Sequence, residues 1–110
     1  MLKNQRLQSY AFLQGMYDDG YFPNFLVDKG KAILVSLCEQ IEKTKPLGDE
    51  VLKLTHAATE EFNELAEEFG EHGSEIETAA RDCIGTDFAS ILEAYGYDID
   101  VEEAIAPRDW

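Results

Sequence analysis

The sequence predicts an all-α protein, and three observations support that class. Apolar residues recur at steps of three and four over long stretches, which is the period of an amphipathic helix. Strand signals are nearly absent, because no useful apolar–polar alternation and no Asn-Gly hairpin occur. Glycines and prolines divide the helical stretches. We therefore expect one domain over residues 1–110: an antiparallel bundle of three long helices with an additional N-terminal helix and a short C-terminal helical hook.

The first two helices are predicted from spacing and from residues that begin or end helices. Leu7, Tyr10, Leu13 and Tyr17 recur at steps of three and four, which predicts a first helix over roughly residues 4–18. The second helix begins at Pro23-Asn24 and ends before Pro46, because proline fits a first helical turn and stops a helix that reaches it. Its apolar stripe is wide, so we expect this helix to lie at the centre of the bundle.

The third helix is predicted to run from Asp49 to Phe69. Asp49 is a residue type that favours the N-cap position, and a clean apolar stripe follows it. Gly70 is expected at the C′ position, where glycine adopts the left-handed conformation without strain. The short connection that follows predicts that the fourth helix returns antiparallel to the third.

The fourth helix is expected to begin at Ser74, because Ser74 and Glu77 have the spacing of a capping box. Glu77 also stands four residues before Arg81, which is the favoured order for an ion pair along a helix. Gly96 closes this helix. The tail is predicted to form a short helical turn that is capped by Asp100 and stopped before Pro107.

Charge is the most unusual property of the chain, whose net charge is −14. Residues 1–53 hold seven bases and seven acids, which leaves 16 of the 23 acids and two of the nine bases for residues 54–110. A negative field of this kind repels nucleic acid and anionic membrane surfaces, and it attracts basic proteins or cations. Acidity that serves solubility alone is the simpler interpretation.

The two cysteines do not predict a metal centre. Cys38 and Cys83 lack the C-x-x-C spacing of zinc sites, and each falls on or beside an apolar stripe, so both are interpreted as small buried hydrophobic residues. The N-terminus has no apolar stretch of signal-peptide length, and no run of about 18 apolar residues occurs. We therefore expect a cytoplasmic protein with reduced thiols and no cofactor.

A weak metal-site signal lies on the third helix. His56 and Glu60 stand four residues apart, so their side chains share one face and can hold a divalent metal, with Glu64 or Glu67 as further ligands. This face lies opposite the apolar stripe, whereas metal sites in helical bundles face inward. A solvated acidic face is the simpler interpretation of the same residues.

Aromatic residues cluster around the start of the second helix and in the tail. Most of these rings are expected to pack in the core or at helix ends, and together they could also form a groove or a lid. Trp110 is the ring that we consider as a docking anchor, because such rings dominate interface energies where they find a pocket. The clustered rings are Tyr17, Tyr21, Phe22, Phe25, Tyr95, Tyr97 and Trp110.

Four strings in the sequence resemble a known family: MYDDGYFP (16–23), LVDK (26–29), SEIETAAR (74–81) and IAPRDW (105–110). The family is the group of small bacterial proteins catalogued as domain of unknown function 5713, and the resemblance extends from about Tyr10 to Trp110. It implies a bacterial, intracellular, helical domain. The family has no established activity, so the resemblance assigns no catalytic or binding residue.

Three functional hypotheses follow. The first is a non-enzymatic binding or regulatory module that meets a basic protein partner through its acidic second half, with Glu60, Glu64, Glu67, Glu71 and Trp110 as the candidate contacts. The second is a metal-binding protein, including a weak metal-dependent hydrolase, built on His56 and Glu60. The third is a structural homodimer formed by surplus apolar surface on the second helix, which leaves monomer and homodimer both open.

Overall fold

A computed structural model describes residues 2–110 as helices joined by turns, with no strand among them. The predicted all-α class is confirmed. The three longest helices contain 21, 21 and 17 residues. The elements in chain order are α1 (Gln5–Gln8), α2 (Gln14–Asp18), α3 (Asn24–Thr44), a 3-10 turn (Gly48–Glu50), α4 (Val51–Glu71), α5 (Thr78–Ala94) and α6 (Val101–Ala104).

The single N-terminal helix predicted over residues 4–18 is wrong, because the chain forms two short helices instead. Leu13 lies between α1 and α2 in the left-handed conformation, with φ of 57°. A continuous helix would place Leu7 on the side opposite Phe12 and Met16, yet all three are buried in the structure. The break therefore lets both sides of this region bury their apolar residues.

Helix α3 ends before Pro46, as predicted, but its start differs: Pro23 occupies the N-cap position instead of the first turn, and Asn24 is the first helical residue. Lys45 follows its last residue in the left-handed conformation, and the Lys45 N–H donates to the Ile41 carbonyl at 2.8 Å. Gly30 lies at the closest approach of α3 to its neighbours. A Cβ on Gly30 would lie 2.9 Å from Leu13 Cδ1 and 3.2 Å from Phe62 Cε1, so a larger residue would require both side chains to shift.

The predicted ends of the third helix are each shifted. Asp49 makes no N-cap hydrogen bond and lies in the 3-10 turn that leads into α4. The helix continues through Gly70 to Glu71, and Gly73 has the positive φ, at 76°. Gly73 rather than Gly70 therefore allows the turn that ends α4.

The predicted capping box is also wrong. Ser74 closes α4 instead of opening α5, because its N–H donates to the Phe69 carbonyl at 2.9 Å. Helix α5 begins only at Thr78, and Ile76 is buried in the connection before it. Arg81 forms no ion pair with Glu77 among the ion pairs of residues 2–110.

Helix α5 and the tail end as predicted. Gly96 follows α5 with φ of 81°, and the Asp100 side chain caps α6 by accepting from the Glu102 N–H at 3.0 Å. The core is one apolar cluster, whose largest fully buried side chains are Phe62, Phe69 and Phe88. Within residues 2–110 no helix is both long and apolar enough to cross a bilayer.

Candidate partner-binding face

The exposed side of α4 carries four carboxylates in one line. Glu60, Glu64, Glu67 and Glu71 follow one another at steps of four, three and four, and all four are exposed. They lie on the side of the helix opposite its buried residues. We call these four residues the acidic ridge.

No cation neutralises the acidic ridge within residues 2–110. The ion pairs there join Arg6 to Glu93, Lys29 to Glu68 and Arg108 to Glu102, and none includes a ridge residue. The reason is visible in the sequence, since no Lys or Arg occurs between Leu54 and Ala80. Like charges at this spacing repel one another, so the ridge does not stabilise α4.

The flank of α4 beside the ridge holds the C-terminal residues. His56 Nε2 lies 2.9 Å from the Glu103 carbonyl oxygen. Asn63 Nδ2 donates to the Pro107 carbonyl at 3.0 Å, and Asn63 Oδ1 accepts from the Asp109 N–H at 3.0 Å. The sequence placed His56 on an outward ridge with Glu60; in the structure His56 faces the tail, whereas Glu60 faces solvent.

The metal alternative gains no support from this placement. One ring nitrogen of His56 is already in contact with a backbone oxygen, and Glu60 lies on the exposed ridge. No group of three or more His, Cys, Asp or Glu side chains within residues 2–110 is placed to hold a metal ion. A site built on His56 and Glu60 therefore stays a prediction, without a third ligand beside it.

Trp110 is partly buried and packs against the core. Its ring centroid lies 6.1 Å from that of Phe62, and the Arg108 guanidinium lies 5.9 Å from the Trp110 ring. The indole Nε1 is buried and has no hydrogen-bond partner among the described residues. Trp110 therefore helps to attach the tail to α4, and its suggested role as a docking anchor stays a prediction.

The aromatic rings that do reach the surface lie at the C-terminal end of the ridge. Phe25 is 51% exposed and Tyr21 is 44% exposed. The Phe25 ring meets the His72 ring edge-on at 5.0 Å, and His72 directly follows the last ridge residue. The Tyr21 ring packs edge-on against Phe22, whose ring in turn meets that of Phe69 near the end of α4. We call Tyr21, Phe25 and His72 the aromatic patch.

Sequence reasoning missed a buried carboxylate, Asp87 on α5. Only 4% of Asp87 is exposed, and it accepts hydrogen bonds from the Leu13 N–H at 2.7 Å and the Tyr10 hydroxyl at 2.6 Å. Burial raises the pKa of Asp87, and these two hydrogen bonds oppose that rise. The available signal was an aspartate beside Phe88, one position from the apolar stripe of α5.

A cleft of about 820 Å³ opens where α3 and α5 end, and sequence reasoning missed it as well. The Glu42 carboxylate accepts from the backbone N–H groups of Lys3 and Asn4 and from the Tyr95 hydroxyl. The Tyr97 hydroxyl donates to the Pro46 carbonyl. Partial burial favours a higher pKa for Glu42, but the hydrogen bonds outweigh burial and lower it. The Glu42 carboxylate and the two tyrosine hydroxyls in this cleft thus each have a hydrogen-bond partner within the protein.

Both cysteines are free thiols. Cys38 is fully buried in the core, and burial raises its pKa to about 12. Cys83 is partly buried next to α2, and burial raises its pKa too. Each is therefore a poor nucleophile, because the reactive thiolate is disfavoured.

The fold and this face define a small, acidic, all-helical protein whose carboxylate ridge joins none of the ion pairs of residues 2–110. The chain belongs to DUF5713, a family of unknown function whose model matches residues 6–110. No curated protein and no solved structure matches the chain significantly.

Proposed function

We propose that this protein is a non-enzymatic binding module that meets a basic protein partner through the acidic ridge and the aromatic patch. The observation that carries the proposal is the continuity of the ridge and the patch. Four exposed, unpaired carboxylates run along α4, and the exposed Phe25 ring of α3 contacts His72 where α4 ends. The ridge supplies charge, and the patch supplies apolar contact.

The charge of the ridge suits recognition better than stability. Unpaired like charges along a helix cost a few tenths of a kcal/mol for each neighbouring pair. A basic surface opposite them would remove that cost and would speed the encounter, because complementary charge steers association. The effect is local, since salt screens exposed charges beyond about 8 Å at physiological ionic strength.

The aromatic patch supplies what charge alone lacks. Exposed aromatic rings are enriched at the centres of interfaces, where they carry much of the binding energy. In this proposal α3, α4 and α5 form an antiparallel bundle that holds the patch and the ridge in a fixed relation. Phe25 is placed on α3 and the ridge on α4, so a partner would contact both helices.

A second copy of the chain is a poorer occupant of this face. Each copy carries a net charge of −14, so ridge-to-ridge contact would bring like charges together. The surplus apolar surface that would support a homodimer through α3 is small. Phe25 is the one large apolar side chain of α3 that is exposed. The homodimer stays a prediction, and light scattering tests it.

Affinity capture from the native cell extract tests the proposal, with captured proteins identified by mass spectrometry. The test variant replaces Glu60, Glu64, Glu67 and Glu71 with glutamine, and a second replaces Phe25 with serine. We expect the wild-type protein to capture a partner of high isoelectric point at physiological salt, and both variants to lose it. Association with the purified partner should slow on the order of tenfold in the ridge variant, mainly at low salt.

A matched control changes four exposed acids outside the ridge to their amides: Glu39, Glu50, Asp82 and Glu103. It has the same net charge as the ridge variant, so it removes the effect of total charge. The control should keep the partner. Equal loss of binding in both variants would mean that net charge alone attracts the partner, and capture unaffected by either would remove the proposal.

A further inference from the structure

A second cleft, of about 500 Å³, lies between α5 and α6. Arg81 on α5 and Arg108 in the tail both line it, and Thr86, Val101 and Ile105 contribute to its walls. Arg81 and Arg108 are the only two arginines in residues 54–110, and that range contains no lysine. The two cations of the acidic half, 27 positions apart in sequence, thus share one cleft.

This convergence is not what charge pairing alone would produce. Residues 54–110 contain 16 acids, so two arginines could each lie among several carboxylates and far from each other. Instead they share a cleft, where their like charges repel. Arg108 pairs with Glu102 at 3.3 Å, but 70% of the Glu102 side chain is exposed, and Arg81 has no ion-pair partner within residues 2–110.

Both guanidinium groups also hold an unused buried donor. The Nε atoms of Arg81 and Arg108 are buried and have no hydrogen-bond partner among the described residues. Buried donors normally find an acceptor, because an unmade hydrogen bond in a buried position is unfavourable. The two Nε atoms are closed to solvent, so an anion in the cleft would bind the remaining guanidinium nitrogens and offset the repulsion between the two cations.

We propose that the cleft between α5 and α6 binds a small oxyanion, a phosphate monoester or a carboxylate, through Arg81 and Arg108. A guanidinium presents donors in a planar fork that matches the oxygens of both groups. The Thr86 hydroxyl, which also lines the cleft, is a further donor. Asp82 and Glu102 reach the same cleft and compete with the anion for the two guanidinium groups. A phosphate offers more acceptor oxygens than a carboxylate, so we expect phosphate to bind better.

The site is independent of the partner-binding proposal. None of the ridge residues and none of the aromatic patch lines this cleft. Loss of partner binding would therefore leave anion binding unaffected, and the reverse also holds. The two proposals can fail separately.

Nitrogen NMR of the arginine side chains tests the site directly, because the chain contains three arginines, each with one Nε–H signal. The titrants are inorganic phosphate, acetate and chloride at constant ionic strength. We expect the Arg81 and Arg108 signals to shift with phosphate and to saturate with a dissociation constant on the order of 1 mM. The shifts should be smaller with acetate and absent with chloride. Arg6 is the internal control, since it is exposed and pairs with Glu93.

Variants complete the test. Arg81→Gln should weaken phosphate binding at least tenfold, and Arg108→Gln should do the same, whereas Arg6→Gln should leave it unchanged. Because Arg108 also lies over Trp110, Arg81→Gln is the decisive variant. Asp82→Asn should strengthen binding by removing a competing charge. Absent shifts, or linear shifts of equal size in all three arginine signals, would overturn the site and leave only general ionic screening.

Discussion

The N-terminal and C-terminal regions are attached to the long helices by different chemical groups. Two carboxylates hold residues 2–20: Glu42 binds the backbone near Lys3, and Asp87 binds the backbone at Leu13. A neutral amide and an imidazole hold residues 97–110, since Asn63 and His56 contact that backbone. The first attachment can respond to acid through its carboxylates, whereas the Asn63 contacts of the second contain no titrating group.

The two carboxylates differ from each other as well. The pKa of Glu42 is lowered below its usual 4.5, so its contribution to stability is present above that value and is lost as the pH falls through the folded-state pKa. The pKa of Asp87 is raised above its usual 3.8. Its titration therefore favours the folded state most below 3.8, and that contribution is lost as the pH rises through the folded-state pKa. As the pH falls, the protonation of Glu42 therefore destabilises the folded state, whereas the protonation of Asp87 does not.

The largest expected effect is that of Asp87→Ala. The substitution removes two hydrogen bonds to a carboxylate and leaves the buried Leu13 N–H without an acceptor, so we expect a loss of about 3 kcal/mol in the free energy of unfolding. The melting temperature should fall by roughly 10–20 °C. Asp82→Ala, an exposed aspartate on the same helix, should change stability by less than about 0.5 kcal/mol. Similar losses in the two variants would show that Asp87 does not anchor this region.

Asn63→Ala should have the next largest effect, about 1–2 kcal/mol, because it removes both hydrogen bonds to the tail at a partly exposed position where water can replace them. Urea unfolding measures the loss, and fluorescence of Trp110 reports whether the tail leaves α4. Glu64→Ala, at the next position on the exposed ridge, is the control. An unchanged Trp110 signal in Asn63→Ala would contradict the attachment.

Tyr10→Phe should cost about 1 kcal/mol, because it removes one of the two donors to Asp87 and keeps the Leu13 bond. Since the Tyr10 bond opposes the burial-driven rise of the Asp87 pKa, its removal should raise that pKa further. Carbon NMR of the Asp87 carboxyl measures the shift. Tyr21→Phe at the exposed patch should change neither quantity, and an Asp87 pKa that falls in Tyr10→Phe would refute this reasoning.

The smallest effect is a local one at acid pH. Acid that protonates Glu42 weakens its bonds to the Lys3 and Asn4 N–H groups, and because the Glu42 pKa is lowered, this requires a pH below its usual value of 4.5. The protection factors of those two amides should fall, whereas that of the Asp109 amide, whose acceptor is the non-titrating Asn63, should stay unchanged. Glu42→Gln should remove this pH dependence. Equal loss of protection at Asp109 would mean that acid loosens the whole fold and does not act through Glu42.

The long helices were predictable because burial alone decides them. The stripe of α4 contains Phe62, Leu65 and Phe69 at helical spacing, and each is buried as the pattern predicts. The breaks between Leu7 and Leu13 were not predictable, because the left-handed Leu13 depends on Asp87, which is 74 positions away. No local pattern contains that partner.

Only part of the candidate site was predictable from the sequence, because local spacing determines the ridge but not the residues around it. The exposure of Glu60 and Glu64 follows from their position opposite the apolar stripe of α4. The role of Asn63 on the neighbouring flank depends on where the tail lies, and the exposure of Phe25 depends on the packing of α3 against the rest. Long-range contacts decided both, and a single sequence does not state them.

Gly30 limits where this protein can change. Leu13 and Phe62 approach that position from two other segments, at 2.9 and 3.2 Å from where a side chain would begin. A larger residue would require the Leu13 and Phe62 side chains to shift, so one added methyl group would disturb the packing between the N-terminal region, α3 and α4. Substitutions at the four residues of the acidic ridge, by contrast, change side chains that are exposed to solvent. An engineer who wished to give this scaffold a new binding specificity could vary the whole ridge freely while keeping this single glycine.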